Sequence, residues 1–186
     1  ALLCGLARTL RQTTGIDIAY LNLSGGLGIP YRPGQQPLDL SQIGQEVRQV
    51  MREYLDGTEL AGVAVYTELG RYITGPAGIL ISRVTHVKHG VRDFAGVDAS
   101  AADLMRPMMY GAYHHVSVAG KEGVTDRKSW DVVGAVCEGT DKFADNRPLP
   151  DLHTGDVLVI HDAGAHGHSM GYNYGGRLRC AEYLLR

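Results

Sequence analysis

The chain has 186 residues, 44% of them hydrophobic and 20% charged, enough apolar material for one ordinary domain or a small pair. Lys and Arg number 18 against 20 Asp and Glu, so a formal charge of -2 offers no global field to recruit nucleic acid or anionic lipid, and no apolar run approaches the ~20 residues that span a bilayer. Cys4, Cys137 and Cys180 are widely spaced with no CxxC pair, which argues against a disulfide framework or zinc knuckle and leads us to expect a soluble, unexported chain in a reducing cytosol. Glycine is the informative excess: 25 residues is roughly twice the usual ~7%, the mark of many tight turns or close backbone approaches.

In chain order, Leu2, Leu3, Leu6, Ala7 and Leu10 recur at helical spacing from the first residues onward, so the chain reads as starting inside a longer pattern. The TTG at 13–15 stops this helix. Residues 16–23 (IDIAYLNL) predict a buried strand running into the turn Ser24-Gly25-Gly26-Leu27-Gly28. Asp39 or Ser41 can cap a second helix whose apolar stripe is Ile43, Val47, Val50, Met51, Tyr54 and Leu55, and Asp56-Gly57 ends it. Residues 61–67 (AGVAVYT) predict another strand. Helix, strand, helix, strand with crossover spacing implies parallel pairing, and two parallel strands make no stable sheet, so residues 1–77 read as the last strands and helices of an incomplete (β/α)8 barrel.

From residue 78 onward short β-rich runs take over: GILISRVTHV, DFAGVD, YHHVSVAG, WDVVGAVC, DVLVIHD and RCAEYLL, interrupted by one helical piece over 101–109. Residues 78–186 are therefore expected to form an antiparallel β-barrel or sandwich domain. The fold class is α/β plus all-β.

Several segments carry chemistry. A Gly-rich turn directly after a buried strand exposes backbone N–H groups where α/β folds bind phosphate, although an ordinary tight turn has the same composition. Glu68-Leu69-Gly70-Arg71 ends the second strand at the same face and is either functional or a surface ion pair. Arg106 and Tyr110, four apart, share a helical face that suits a carboxylate, or else snorkel over Met105 and Met109. Cys137-Glu138-Gly139-Thr140-Asp141 places a thiol beside two carboxylates in a turn. His166-Gly167-His168, close after His161, is the rival: an HxH resembles a cupin metal motif, but Gly171 and Tyr172 stand where the acid belongs, and His114-His115 would point to opposite faces of a strand.

Taken together and in order, NLSGGLGIPY (22–31), TELGRYITGPAG (67–78), VDASAADLMRPMMYGAYHH (97–115), VCEGTDKFADNRPLP (136–150) and GDVLVIHDAGAHGHSMGYNYGGRLRCAEYLL (155–185) resemble the diaminopimelate decarboxylases. These are pyridoxal-phosphate enzymes of the alanine-racemase-like class. The resemblance implies a (β/α)8 barrel followed by a β domain, a homodimer with its active site shared between subunits, and conversion of meso-2,6-diaminoheptanedioate to L-lysine and carbon dioxide. It assigns Gly25, Gly26, Gly70 and Arg71 to the phosphate of pyridoxal 5'-phosphate and Glu68 to its pyridine nitrogen. Arg71, Arg106 and Tyr110 would hold the remote substrate carboxylate, Glu138 the amino group beside it, and Cys137 would return the proton. No metal is implied, nor any nucleic-acid or membrane partner.

Three positions depart from the commonest family pattern. Ser24 replaces a first glycine, Leu69 a proline, and His166 a tyrosine that contacts cofactor and substrate. None of Lys88, Lys121, Lys128 or Lys142 sits in the family's cofactor-lysine motif, so the chain is read as a carboxy-terminal portion that is inactive alone. Alternatives are a related decarboxylase of ornithine, arginine or carboxynorspermidine, a non-catalytic binding module of the same fold, and the cupin-like metal protein.

Overall fold

The computed structural model describes residues 1–185, which divide into two compact units: 1–28 with 37–70, and 29–36 with the chain from Arg71 onward. In the first unit, α1 (Leu2–Thr14) ends where Gly15 turns left-handed at φ 71° and donates its N–H to the Arg11 carbonyl. Helix α2 (Leu40–Leu55) starts at Asp39, whose side chain accepts from Ser41 N at 2.8 Å and Gln42 N at 3.1 Å. Between and after them run two three-residue strands, β1 (Tyr20–Asn22) and β2 (Ala64–Tyr66), paired in parallel with Leu21 opposite Val65. The core is small: Cys4, Ala7, Leu21, Leu55 and Leu60 are buried, and Leu3, Ile18, Val50, Met51, Tyr54 and Val63 pack against them. Leu2, Leu6 and Leu10 of the predicted α1 stripe are exposed. A barrel is not present among the described residues; the unit is one helix–strand–helix–strand set.

The second unit is built on a six-stranded sheet. Its strands are β3 (Leu80–Lys88), β4 (Asp93–Val97), β5 (Val116–Val118), β6 (Lys128–Val133), β7 (Lys142–Leu149) and β8 (Val157–Ile160), in the order β5-β8-β3-β4-β6-β7. The expected antiparallel sheet is in fact mixed, because β4 and β6 pair in parallel, with Ala95 opposite Val132. Strand β3 serves two neighbours. Leu80 to Arg83 pair with β8, and after an irregularity between Val84 and His86 the rest pairs with β4. That change of partner bends the sheet, and the edge strands β5 and β7 come together, so the sheet nearly closes on itself. Val84, Val97, Val116, Trp130, Val132, Leu149, Leu158 and Ile160 fill the interior.

Two elements differ from expectation for physical reasons. Strand β7 (KFADNRPL) lacks a clean alternation and contains Pro148, yet an edge strand tolerates proline because one side of its backbone needs no partner. Residues 179–185, predicted as a strand, belong to no strand, and Tyr183, Leu184 and Leu185 are exposed. A short helix, α3 (Gly70–Thr74), follows β2, and α4 (Arg106–Tyr110) lies between β4 and β5 with Pro107 in its first turn.

Candidate active site

The C-terminal ends of β1 and β2 hold the first group of candidate residues. The ladder continues past both strands: Leu23 N–H donates to the Tyr66 carbonyl at 2.9 Å and Glu68 N–H to the Ser24 carbonyl at 2.8 Å. Asn22 ties the turn together, its Oδ1 accepting from Ser24 N at 2.7 Å while its Nδ2 donates to Glu68 Oε1 at 2.5 Å. A single amide thus orients both the turn and the carboxylate. Gly25 passes so close that a Cβ there would run into the Glu68 carbonyl, whereas Gly26, at φ 102°, faces open space. Ser24 sits at φ 61°, in the left-handed region where glycine is favoured, which explains the family pattern's glycine at that position. Glu68, Gly25, Gly26 and Gly70 are all solvent-facing. An open glycine backbone beside a fixed carboxylate fits a cofactor with a phosphate at one end and a protonated ring nitrogen at the other.

The second group lies in the sheet unit. Helix α4 carries both Arg106 and Tyr110 but separates their environments: Arg106 is buried, while Tyr110 is 62% exposed. Arg106 Nη1 meets His114 Nε2 at 2.8 Å, and the Tyr31 ring lies 5.0 Å from the guanidinium carbon. Next to it, Tyr113 is flanked by Arg32 at 3.9 Å and Arg147 at 4.0 Å, and Arg147 Nη1 donates to the His114 carbonyl at 2.8 Å. Burial pushes the Arg147 guanidinium below its ordinary value. Among the described residues no carboxylate forms an ion pair with Arg32, Arg106 or Arg147. Arg71, at the start of this unit, is half-buried.

The turn after β6 presents Cys137 and Glu138. Its anchor is Asp141, a buried carboxylate whose Oδ1 accepts from Ala101 N at 2.7 Å and Oδ2 from Val136 N at 3.0 Å. Burial raises the Asp141 carboxyl above its usual range, the neighbouring Asp103 adding to the shift. Cys137 is an exposed free thiol whose carbonyl accepts from the Tyr174 hydroxyl at 2.8 Å. Glu138 Oε1 accepts from Thr140 N and Oγ1 at 3.2 and 3.0 Å. Glu138 and Thr140 line a cleft of about 440 Å³ with Met105, Met108, Met109, Tyr172 and Tyr174. Thioethers and phenol faces accept an aliphatic chain, and the carboxylate accepts a cation at its end.

His166 is exposed on the loop after β8 with φ 57°, so the residue in the tyrosine's place also holds a left-handed backbone. His168 lies on a short 3-10 turn and pairs with Glu182 at 3.0 Å. The cupin-like motif does not lie as that fold would place it: neither histidine is on a strand, and among the described residues no three or more His, Cys, Asp or Glu cluster as metal ligands would. His114 and His115 both precede β5 rather than alternating along it.

The structure thus brings Gly25, Gly26 and Glu68 together at one strand end and sets Cys137 and Glu138 side by side on one turn. It also adds His114, Asp141, Tyr172 and Tyr174 to the surroundings. Of these, Asp141 had a visible signal as the second acid of the cysteine turn, and His114 was visible only as half of the His114-His115 pair weighed for metal binding.

Residues 35–164 match the family model of the pyridoxal-dependent decarboxylase C-terminal sheet domain. Protein TabA of Pseudomonas amygdali pv. tabaci is 46% identical over 183 residues, covering 96% of this chain and 41% of that protein. The diaminopimelate decarboxylase of Methanothermobacter thermautotrophicus is 41% identical over 184 residues, covering 99% of this chain and 43% of that protein. The crystal structure of diaminopimelate decarboxylase from M. jannaschii in co-complex with L-lysine matches with a TM-score of 0.80 at 35% identity, covering 96% of this chain and 39% of that one. The chain spans about two fifths of the length of these relatives.

Proposed function

This chain belongs to the pyridoxal-dependent decarboxylases, and from that membership we propose that it serves in the removal of carbon dioxide from meso-2,6-diaminoheptanedioate to give L-lysine, with pyridoxal 5'-phosphate as cofactor. The observation that carries this reading is the Glu138 carboxylate on the wall of a methionine- and tyrosine-lined cleft, with the Cys137 thiol exposed immediately before it. The relatives named for this reaction, and the one solved with L-lysine, support it.

Pyridoxal phosphate, when bound, supplies a sink for the electron pair left by departing carbon dioxide. The Gly25, Gly26 and Gly70 backbone, with Arg71, would hold its phosphate, and Glu68 would pair with its ring nitrogen and favour the protonated form. Asn22 keeps Glu68 in place for this. His166, in the place of the family pattern's tyrosine, would contact the cofactor when it is bound. Arg71, Arg106 and Tyr110 receive the substrate carboxylate that is retained, and Glu138 receives the ammonium beside it. Cys137 Sγ then delivers a proton to the carbon that has lost carbon dioxide. In our reading Cys137 and Glu138 serve the site of a second copy, so the working form is a homodimer. Its place is the cytoplasm, where reducing conditions keep Cys137 a thiol.

The test is carbon dioxide release by the full gene product, supplied with pyridoxal phosphate, from meso-diaminopimelate, L-ornithine, L-arginine and carboxynorspermidine. We expect kcat/KM for meso-diaminopimelate to exceed the others by at least tenfold, about 1.4 kcal/mol of discrimination. Preference for ornithine, arginine or carboxynorspermidine overturns the substrate, and release from none of them overturns the enzyme reading.

A further inference from the structure

We propose that His114 is the positioning residue that aims Arg106 at the retained substrate carboxylate while leaving the positive charge of Arg106 unspent. This rests on the reading above, in which Arg106 takes that carboxylate.

The hydrogen bonds define the state of the ring. A guanidinium only donates, so His114 Nε2, 2.8 Å from Arg106 Nη1, must be the acceptor. A carbonyl only accepts, so His114 Nδ1, 2.9 Å from the His161 carbonyl, must carry the proton. The ring is therefore neutral with its hydrogen on Nδ1. It is fully buried and also held by Tyr31, whose ring meets it edge-on at 5.1 Å and lies under the Arg106 guanidinium as well.

A buried arginine normally finds a carboxylate, because an unpaired buried charge is costly. Arg106 instead has a neutral imidazole nitrogen and an aromatic face. These partners orient the guanidinium without neutralising it, so its charge remains available for an anion from outside. A glutamate or aspartate in the place of His114 would orient Arg106 equally well and cancel it.

The arrangement also makes binding sensitive to acid. The charged and titratable groups facing His114 are Arg106, Arg147, Asp162, His161 and Tyr31. Protonation at Nε2 would remove the acceptor and place two cations against each other. Burial, with Arg106 and Arg147 adding to it, holds the ring below its ordinary 6.5, while the His161 carbonyl and Asp162 act the other way.

The experiment compares His114→Phe, which keeps a ring but loses the acceptor, with His114→Gln, whose amide oxygen can accept from Arg106 and whose N–H can reach the His161 carbonyl. In the full gene product loaded with pyridoxal phosphate, H114F should raise KM for meso-diaminopimelate by about 10- to 100-fold, the worth of a hydrogen bond to a charged group, with kcat within about threefold. H114Q should recover most of that loss. The wild-type KM should rise below pH 6.5, and that rise should vanish in H114Q. If Arg106→Met leaves KM unchanged, the carboxylate reading fails and this proposal with it. If R106M raises KM while H114F does not, the positioning role alone is overturned. Should H114F not fold, nitrogen NMR of the 186-residue chain decides: a neutral His114 protonated on Nδ1 is expected, and an Nε2-protonated or charged ring at pH 7.5 overturns the proposal.

Discussion

Cys137 and Glu138 are neighbours to which the proposed function gives separable tasks. The Cys137 side chain is exposed, and the Tyr174 hydroxyl bonds only its main-chain carbonyl, so Cys137→Ala removes a thiol without removing a support of the turn. In the full gene product, C137A should slow turnover by roughly 10²–10⁴, the range for a positioned acid, with cofactor absorbance and thermal midpoint near wild type. A stability loss with intact turnover would mark the residue as structural instead. Among the described residues the Glu138 carboxylate accepts only from Thr140 and forms no ion pair, which in the proposed reading leaves it able to meet a substrate cation. Glu138→Ala should lower kcat/KM for meso-diaminopimelate more than tenfold, about 1.4 kcal/mol, while pyridoxal phosphate affinity changes little. Equal losses in cofactor and substrate binding would count against it.

At the level of elements, the strong local signals were the helices. Asp39 and the apolar stripe behind it marked α2 in the sequence, and Asp39 does cap it, accepting from two N–H groups of the first turn. Asp39→Ala should therefore cost about 1 kcal/mol of stability, read as an earlier unfolding transition by circular dichroism. An unchanged transition would mean that water replaces the cap without loss. Strand β7 was illegible, because its residues are chosen by the edge position and by partners across the sheet. Asp131 on β6 is one such partner: it accepts from Asn146 N at 2.8 Å on β7 and pairs with Arg92 and Lys142. Nothing in KFADNRPL announces that neighbour. Residues 179–185 failed in the opposite direction, since a short apolar run such as RCAEYLL satisfies a strand pattern yet gains a strand only where a sheet edge receives it.

Across the whole molecule, two responses can be measured on the 186-residue chain itself. His114 and His115 both lie below the ordinary histidine value, with burial as the largest cause for each. The unfolded chain therefore binds more protons between the folded values and 6.5, so stability is full above that pH and is lost as pH falls through the window below it. The unfolding midpoint should drop between pH 7.5 and pH 5.5, less steeply in H114Q; a flat profile would show that neither ring stays neutral. The lysines supply the second response. Lys121 pairs with Asp156, Lys128 with Asp151, and Lys142 with Asp131 and Asp145, while Lys88 is exposed at the end of β3, so each of these amines is either paired or open to solvent. Borohydride after incubation with pyridoxal phosphate should thus label no single lysine stoichiometrically, and one fully labelled lysine in a peptide map would refute this.

The sequence by itself determined the ends of α2, the strand-then-glycine turn at Gly25 and Gly26, the β-rich second half, and the acid-and-thiol turn of Cys137 and Glu138. All of these are local: caps, periodicity and turn chemistry act over a few residues. Tertiary structure alone decided the mixed pairing of β4 with β6, the edge position of β7, the burial of Arg106 on His114 eight residues away, and the tie between Ala101 and Asp141 forty residues apart. These depend on which segments the folded chain brings together, and no short-range pattern encodes a partner that becomes near only when the sheet closes.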